Sequence, residues 1–158
     1  MYLLPKPKTI KEQDGQMLLC HSTHIVMTKE VAETEMHAAK RLQEAIRQET
    51  GLILPFSVGE VREGDLSLGI AKTLPEQTYE ITIDEKGGQI SGGDGAGVLY
   101  GVETFCQIVQ QCGGILPCVQ IQDAPDMPNR GYYFDQTRGR VLKLEELKKL
   151  QTGCAAIN

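Results

Sequence analysis

The spacing of hydrophobic and polar positions changes period several times along the chain, and each change marks a predicted element. Residues 17–27 (MLLCHSTHIVM) hold two short apolar runs separated by His-Ser-Thr-His, which predicts one or two short strands with a polar kink. Thr28 then offers an N-cap. From Lys29 to Thr50, Val31, Ala38, Leu42, Ala45 and Ile46 recur at helical spacing, with charged residues on the other faces and Gly51 as the stop. Three strands are predicted next, over Leu52–Val58, Leu66–Ala71 and Gln77–Asp84. In the last, Tyr79, Ile81 and Ile83 alternate with Thr78, Glu80 and Thr82, so one face should be wet. Lys86-Gly87-Gly88 is a turn signal, and Gln89-Ile90-Ser91 returns as the hairpin partner.

Asp94 is placed to cap a second helix, whose stripe of Val98, Leu99, Val102, Phe105, Cys106 and Val109 runs until Gly113-Gly114. Gly97 and Gly101 thin one face of it for close packing. Ile115–Gln122 reads as another strand. The run Asp123-Ala-Pro-Asp-Met-Pro-Asn129 is a proline-rich linker and the expected domain boundary. Beyond it, Arg130–Arg138 reads as a strand, and Leu144, Leu147 and Leu150 begin an amphipathic helix. A strand followed by a helix after an α+β domain suggests the opening of a β/α repeat.

Length and composition narrow the class. At 158 residues there is room for one ordinary domain and the start of another, and 41% hydrophobic with 23% charged residues excludes a mainly disordered chain. A net charge of -5 argues against nucleic-acid or anionic-membrane partners, which need clustered Lys and Arg. Met1-Tyr-Leu-Leu-Pro-Lys-Pro7 lacks the basic and apolar regions of a secretory signal, and no run approaches a membrane span. Cys20, Cys106, Cys112, Cys118 and Cys154 are odd in number and lie outside CxxC pairs, so they are expected to be reduced, mostly buried thiols of a cytoplasmic protein. Cys106 and Cys112 are six apart with no histidine near them, which disfavours a metal site. His21 and His24 form an HxxH, but on a strand they would face opposite ways, so satisfied surface or core histidines are expected. No HExxH occurs, and neither a metal nor a cofactor is implied.

Two segments resemble glycoside hydrolase family 20, the β-N-acetylhexosaminidases. Ile90-Ser-Gly-Gly-Asp-Gly-Ala-Gly-Val-Leu-Tyr-Gly-Val-Glu-Thr-Phe-Cys-Gln-Ile-Val109 is similar to the strand-turn-helix that closes the family's N-terminal domain. Asp123-Ala-Pro-Asp126 followed by Arg130-Gly-Tyr-Tyr-Phe-Asp-Gln-Thr-Arg138 is similar to its first barrel strand. The resemblance covers roughly residues 77–150. It implies a two-layer α+β domain over residues 1–125, zincin-like, with a mostly antiparallel sheet carrying two helices on one face. Residues 126–150 would then open a (β/α)8 barrel.

The resemblance also implies retaining hydrolysis of terminal N-acetylhexosamine, with the substrate's acetamide oxygen as nucleophile and an adjacent Asp-Glu pair on a later barrel strand. That pair is not expected in this chain. Of the family's site residues only the arginine opening the first barrel strand has a counterpart, Arg130, whose fork of donors suits O3 and O4 of the terminal sugar. Asp135 and Arg138 are read as a structural ion pair. O-GlcNAcases and α-glucuronidases use a similar preceding domain, but RGYYFDxxR after the linker favours family 20.

The helical pattern is lost over Gln151-Thr-Gly-Cys-Ala-Ala-Ile-Asn158, with a Thr-Gly break. Read one base earlier, degenerate codons for these residues permit Ala-Asp-Arg-Leu-(Cys/Arg)-(Cys/Arg)-Tyr-Lys, close to the helix such hydrolases have here. The hypothesis is that residues 151–158 are out of frame and the enzyme truncated, and a gene sequence unable to encode that alternative would refute it. The chain is then expected to be an inactive front end of a hexosaminidase. A free-standing carbohydrate- or protein-interaction module is the alternative, but it would have no use for Arg130–Leu150. The exposed apolar surface of that stub is expected to favour a homodimer.

Overall fold

The structure, a computed structural model, describes residues 1–28, 33–131, 133 and 141–155. Seven strands and three helices are described: β1 (Thr9–Leu18), β2 (Ile25–Met27), α1 (Glu33–Thr50), β3 (Phe56–Val58), β4 (Leu66–Ile70), β5 (Tyr79–Asp84), β6 (Gly87–Gly92), α2 (Gly95–Cys112), β7 (Ile115–Asp123) and α3 (Leu144–Ala155). The strands form one sheet in the order β1-β7-β5-β6-β4-β2-β3. From β1 to β6 neighbours run antiparallel, and from β6 to β3 they run parallel. The antiparallel half holds the longer strands and so most of the ladder.

Period-2 alternation puts Tyr79, Ile81 and Ile83 of β5 into the core and leaves Glu80 and Thr82 on the open face. Helices α1 and α2 pack on each other and cover the buried face, so the domain has two layers. Leu42 and Ile46 of α1 and Val98, Val102, Phe105 and Val109 of α2 meet Leu66, Leu68, Ile90, Val119 and Ile121 of the sheet, all essentially without exposure. Deep burial of this many large side chains is the main source of stability. The opposite face is polar, with Lys11, Glu80, Thr82, Gln120 and Gln122 along one groove.

Several boundaries differ from the expectations for physical reasons. The apolar run at Met17 is only the end of β1, a ten-residue strand pairing with β7 at the sheet edge. β3 starts after Pro55 rather than at Leu52, because proline donates no hydrogen bond to a ladder; its carbonyl accepts from Ile25 N instead. β5 starts at Tyr79 rather than Gln77, whose φ of 61° is left-handed and not extended. The N–H of Thr28 donates to the Leu68 carbonyl and continues the sheet, and the expected first turn of α1 falls on residues outside those described.

The α2 expectations hold: Asp94 is the N-cap, and Gly113, φ 64°, is the C-cap, its N–H bonding to Val109 O. α3 does not end at the Thr-Gly break but runs through Thr152 and Gly153 to Ala155. Among the described residues α3 makes at most marginal contact with any other element. No helix of the described residues is long and apolar enough to cross a membrane.

Candidate functional site

The N-terminus of α2 lies close over the start of β5. A Cβ on Gly97 would meet Thr78 O at 2.3 Å, and one on Gly101 would meet Ile90 Cγ2 at 2.7 Å, so both glycines serve the close packing expected of them. Asp94 anchors this corner. Its Oδ1 accepts from Gly97 N at 2.7 Å and from Gln77 N at 3.0 Å, joining the helix cap to the turn before β5.

The side chain of Gln77 then points toward the linker. Its Nε2 donates to Pro128 O at 3.1 Å, and its Oε1 accepts from an Arg130 terminal nitrogen at 3.4 Å. The same nitrogen donates to the Met127 carbonyl. The guanidinium carbon lies 5.1 Å from the centre of the Tyr100 ring, within cation–π range. Arg130 Nε is buried and has no hydrogen-bond partner among the described residues.

Around Arg130 lies a cleft of about 260 Å³, with Lys6, Lys8, Tyr79, Tyr100 and Asp123 in its walls. The Tyr79 hydroxyl is 2.7 Å from Thr104 Oγ1 and donates to Asp123 Oδ2 at 3.3 Å. Burial pushes that phenol far above its ordinary range, so it stays protonated. Asp123 also accepts from Lys8 N at 3.2 Å. Asp126 pairs with Lys8 Nζ at 2.8 Å, and that hydrogen bond holds its carboxyl below the usual range. Both carboxylates are therefore engaged in holding the linker. Among the described residues the cleft offers donors, acceptors and an aromatic face, but neither a paired acid and base nor an activated nucleophile.

The other predicted residues fall elsewhere. Asp135 and Arg138 lie outside the described residues, as does most of the strand expected over Arg130–Arg138; Tyr133 is described and is 88% exposed. His21 and His24 sit in the turn between β1 and β2, not on a strand. His24 Nδ1 is 2.9 Å from Ser22 O and 3.4 Å from Asp65 Oδ1, a satisfied surface histidine. Among the described residues no group of three His, Cys, Asp or Glu could hold a metal ion. Cys106 and Cys118 are buried, Cys112 is half-buried and Cys20 is exposed, all as free thiols.

The chain does contain an Asp-Glu dipeptide, Asp84-Glu85. It sits in the β5–β6 hairpin, where Asp84 Oδ1 accepts from Lys86 N at 2.8 Å. That turn is at the end of β5 away from Arg130, roughly 15–20 Å along the strand, so the two do not share a site. Sequence reasoning singled out Arg130 but missed Gln77, Tyr100, Asp94 and Asp123 as its setting. Only the Asp94 cap carried a local signal.

This is a two-layer α+β domain with Arg130 seated against its Gln77 and Tyr100. The model of glycosyl hydrolase family 20, domain 2, matches residues 1–124, and the chain belongs to that family. Over 93% of its length it is 29% identical to a β-hexosaminidase of Porphyromonas gingivalis, of which it covers 20%. It is also 29% identical to a β-hexosaminidase of Vibrio furnissii over 94% of its length and 23% of the relative. It therefore spans at most about a quarter of the curated relatives it matches. Among solved structures it is similar to the Flavobacterium johnsoniae chitobiase, with a TM-score of 0.84 and 20% identity over 98% of this chain and 25% of that one. The β-N-acetylhexosaminidase of Streptomyces coelicolor A3(2) superposes with a TM-score of 0.82 at 20% identity, over 99% of this chain and 33% of that one. These two likenesses carry the fold.

Proposed function

We propose that this chain is the N-terminal, non-catalytic part of a β-N-acetylhexosaminidase and that residues 126–150 open its barrel. The whole enzyme would remove terminal N-acetylhexosamine with retention, the substrate's acetamide acting as nucleophile. One observation carries the reading: domain 2 of the family spans residues 1–124, and Arg130 follows it in RGYYFDQTR, tied to the domain by Gln77 and Tyr100. The role assigned to Arg130 is to grip two adjacent sugar hydroxyls with its fork of donors. The domain's own task is mechanical, to set the linker from which that arginine projects.

In this reading the 158-residue chain is inactive, because Asp135, Glu145 and Glu146 are the only carboxylates after Arg130 and none forms an Asp-Glu pair. Tyr133, Val141 and Leu144 are exposed, which supports pairing of a second copy through this segment. The test is hydrolysis of a fluorogenic N-acetyl-β-glucosaminide by this chain and by a version extended through the barrel. Activity in the extended protein alone is the expected result. Activity in the 158-residue chain would overturn the assignment of the catalytic groups.

A further inference from the structure

Gln77 is the one non-glycine residue with a left-handed backbone among the described residues. Such a conformation crowds the Cβ of any L-residue and costs energy, so it persists only where the surroundings over-determine it. Glycine would satisfy the backbone here without strain, and its N–H would still reach Asp94. What glutamine adds is the side-chain amide. Both ends of that amide are used, the nitrogen on Pro128 O at 3.1 Å and the oxygen on Arg130 at 3.4 Å. Through its backbone N–H, 3.0 Å from Asp94 Oδ1, the same residue is fixed to the cap of α2.

We propose that Gln77 is a positioning residue, a two-ended clamp that holds the linker carbonyl and the Arg130 guanidinium in register with the α2 cap. The inference rests on the sugar-binding role of Arg130 for its functional meaning, though the clamp itself concerns only this chain. A strained glutamine is retained because a side-chain amide is among the few groups that both donate to a carbonyl and accept from a guanidinium. Tyr100 completes the seat by covering one face of the guanidinium plane.

The experiment uses the 158-residue chain and 15N-resolved NMR of the arginine Nε–H groups, with the Arg130 signal assigned by its loss in Arg130→Lys. In the wild type the buried Arg130 Nε–H should exchange slowly with solvent. Gln77→Gly relieves the backbone and should leave the midpoint of unfolding unchanged or raised. It should nevertheless speed Arg130 Nε–H exchange about fivefold to tenfold, the equivalent of one lost hydrogen bond. The Gly97 amide, bonded to the cap, should keep its protection. Gln77→Asn accepts the left-handed backbone but is one methylene short of both partners, so it should behave like the glycine variant. Unchanged Arg130 exchange in folded Gln77→Gly or Gln77→Asn would overturn the clamp. Failure of the sugar-binding role would appear separately, as an unaltered KM for Arg130→Lys in the protein extended through the barrel, with the exchange result intact.

Discussion

Arg41 of α1 and Glu103 of α2 form a two-point ion pair across the helix interface, with Arg41 Nε 2.9 Å from Oε1 and its terminal nitrogen 3.0 Å from Oε2. The Glu103 side chain is 7% exposed and that of Arg41 24%. The pair crosses the layer that covers the sheet, so it sets how the two helices register. Burial is the largest single influence and lowers the Arg41 guanidinium, but the hydrogen bond to Glu103 and the attraction of Cys106, Glu103 and Glu44 together outweigh it and leave the arginine above its ordinary range. Arg41→Ala would strand a buried carboxylate. The expected loss is about 3 kcal/mol, toward the low end for a buried pair because Arg41 keeps some water. Arg41→Met with Glu103→Leu should recover most of it, and urea denaturation of the two variants beside the wild type checks both statements.

Gly97→Ala should be costly although alanine favours helix. Its Cβ would meet the Thr78 carbonyl at 2.3 Å, and backbone cannot swing aside as a side chain can. Overpacking of this kind costs about 1–3 kcal/mol. The same change at Gly113 meets no atoms within 4 Å but forces alanine into φ 64°, so it too should destabilise, through strain rather than collision. Thermal unfolding of the two variants, with a crystal structure of each, separates the causes.

The thiols should differ in reactivity. Hydrogen bonding from Ser22, whose Oγ is 3.0 Å from the sulfur, lowers the Cys20 thiol, and Cys20 is exposed. Burial pushes Cys106 up to about 12. Thiolate is the reacting form, so iodoacetamide at mildly alkaline pH should label Cys20 well before Cys106, which should wait until the chain unfolds. Peptide mass spectrometry against time reads the order. Ser22→Ala should slow labelling of Cys20 alone.

The first residues are held by two glutamine side chains of α2. Gln111 Oε1 accepts from Tyr2 N, and Gln107 accepts from Leu4 N at 2.9 Å and returns its Nε2 to Leu4 O at 2.8 Å. Glutamines one helical turn apart thus act as stand-ins for a neighbouring strand. Replacing both by alanine should release Met1–Leu4 and speed exchange of the Tyr2 and Leu4 amides by about tenfold, while Leu3, 5% exposed, keeps the segment near the core. Hydrogen-exchange mass spectrometry of the N-terminal peptide is the measurement.

Legibility in the sequence followed burial. β5, β6 and α2 were readable because each buries one face, so their side chains alternate or form a stripe. β1 was not, because Thr9–Leu18 is an edge strand with Met17 as its one fully buried residue, and a strand that buries almost nothing leaves no hydrophobic period. At the other end, Gly153 was read as a stop. A mid-helix glycine costs only about 1 kcal/mol against alanine, which does not by itself end α3.

The candidate site divides in the same way. Arg130 stood out because RGYYFDxxR is a local motif, while Gln77, Tyr100 and Asp123 are 53, 30 and 7 positions away from it in the chain. Nothing in the local sequence around Gln77 marks a left-handed residue, since glutamine is not one that adopts it readily.

The sequence by itself determined the elements with a wet and a dry side, the caps of α2, and the kinship with family 20. Those features depend on neighbours within a few residues or on motifs read in order. The sheet order, the parallel half, the Arg41–Glu103 pair and the seat of Arg130 were decided by the tertiary structure. Each is a meeting of residues far apart in the chain, and which of many possible partners is chosen depends on burying all the apolar faces at once.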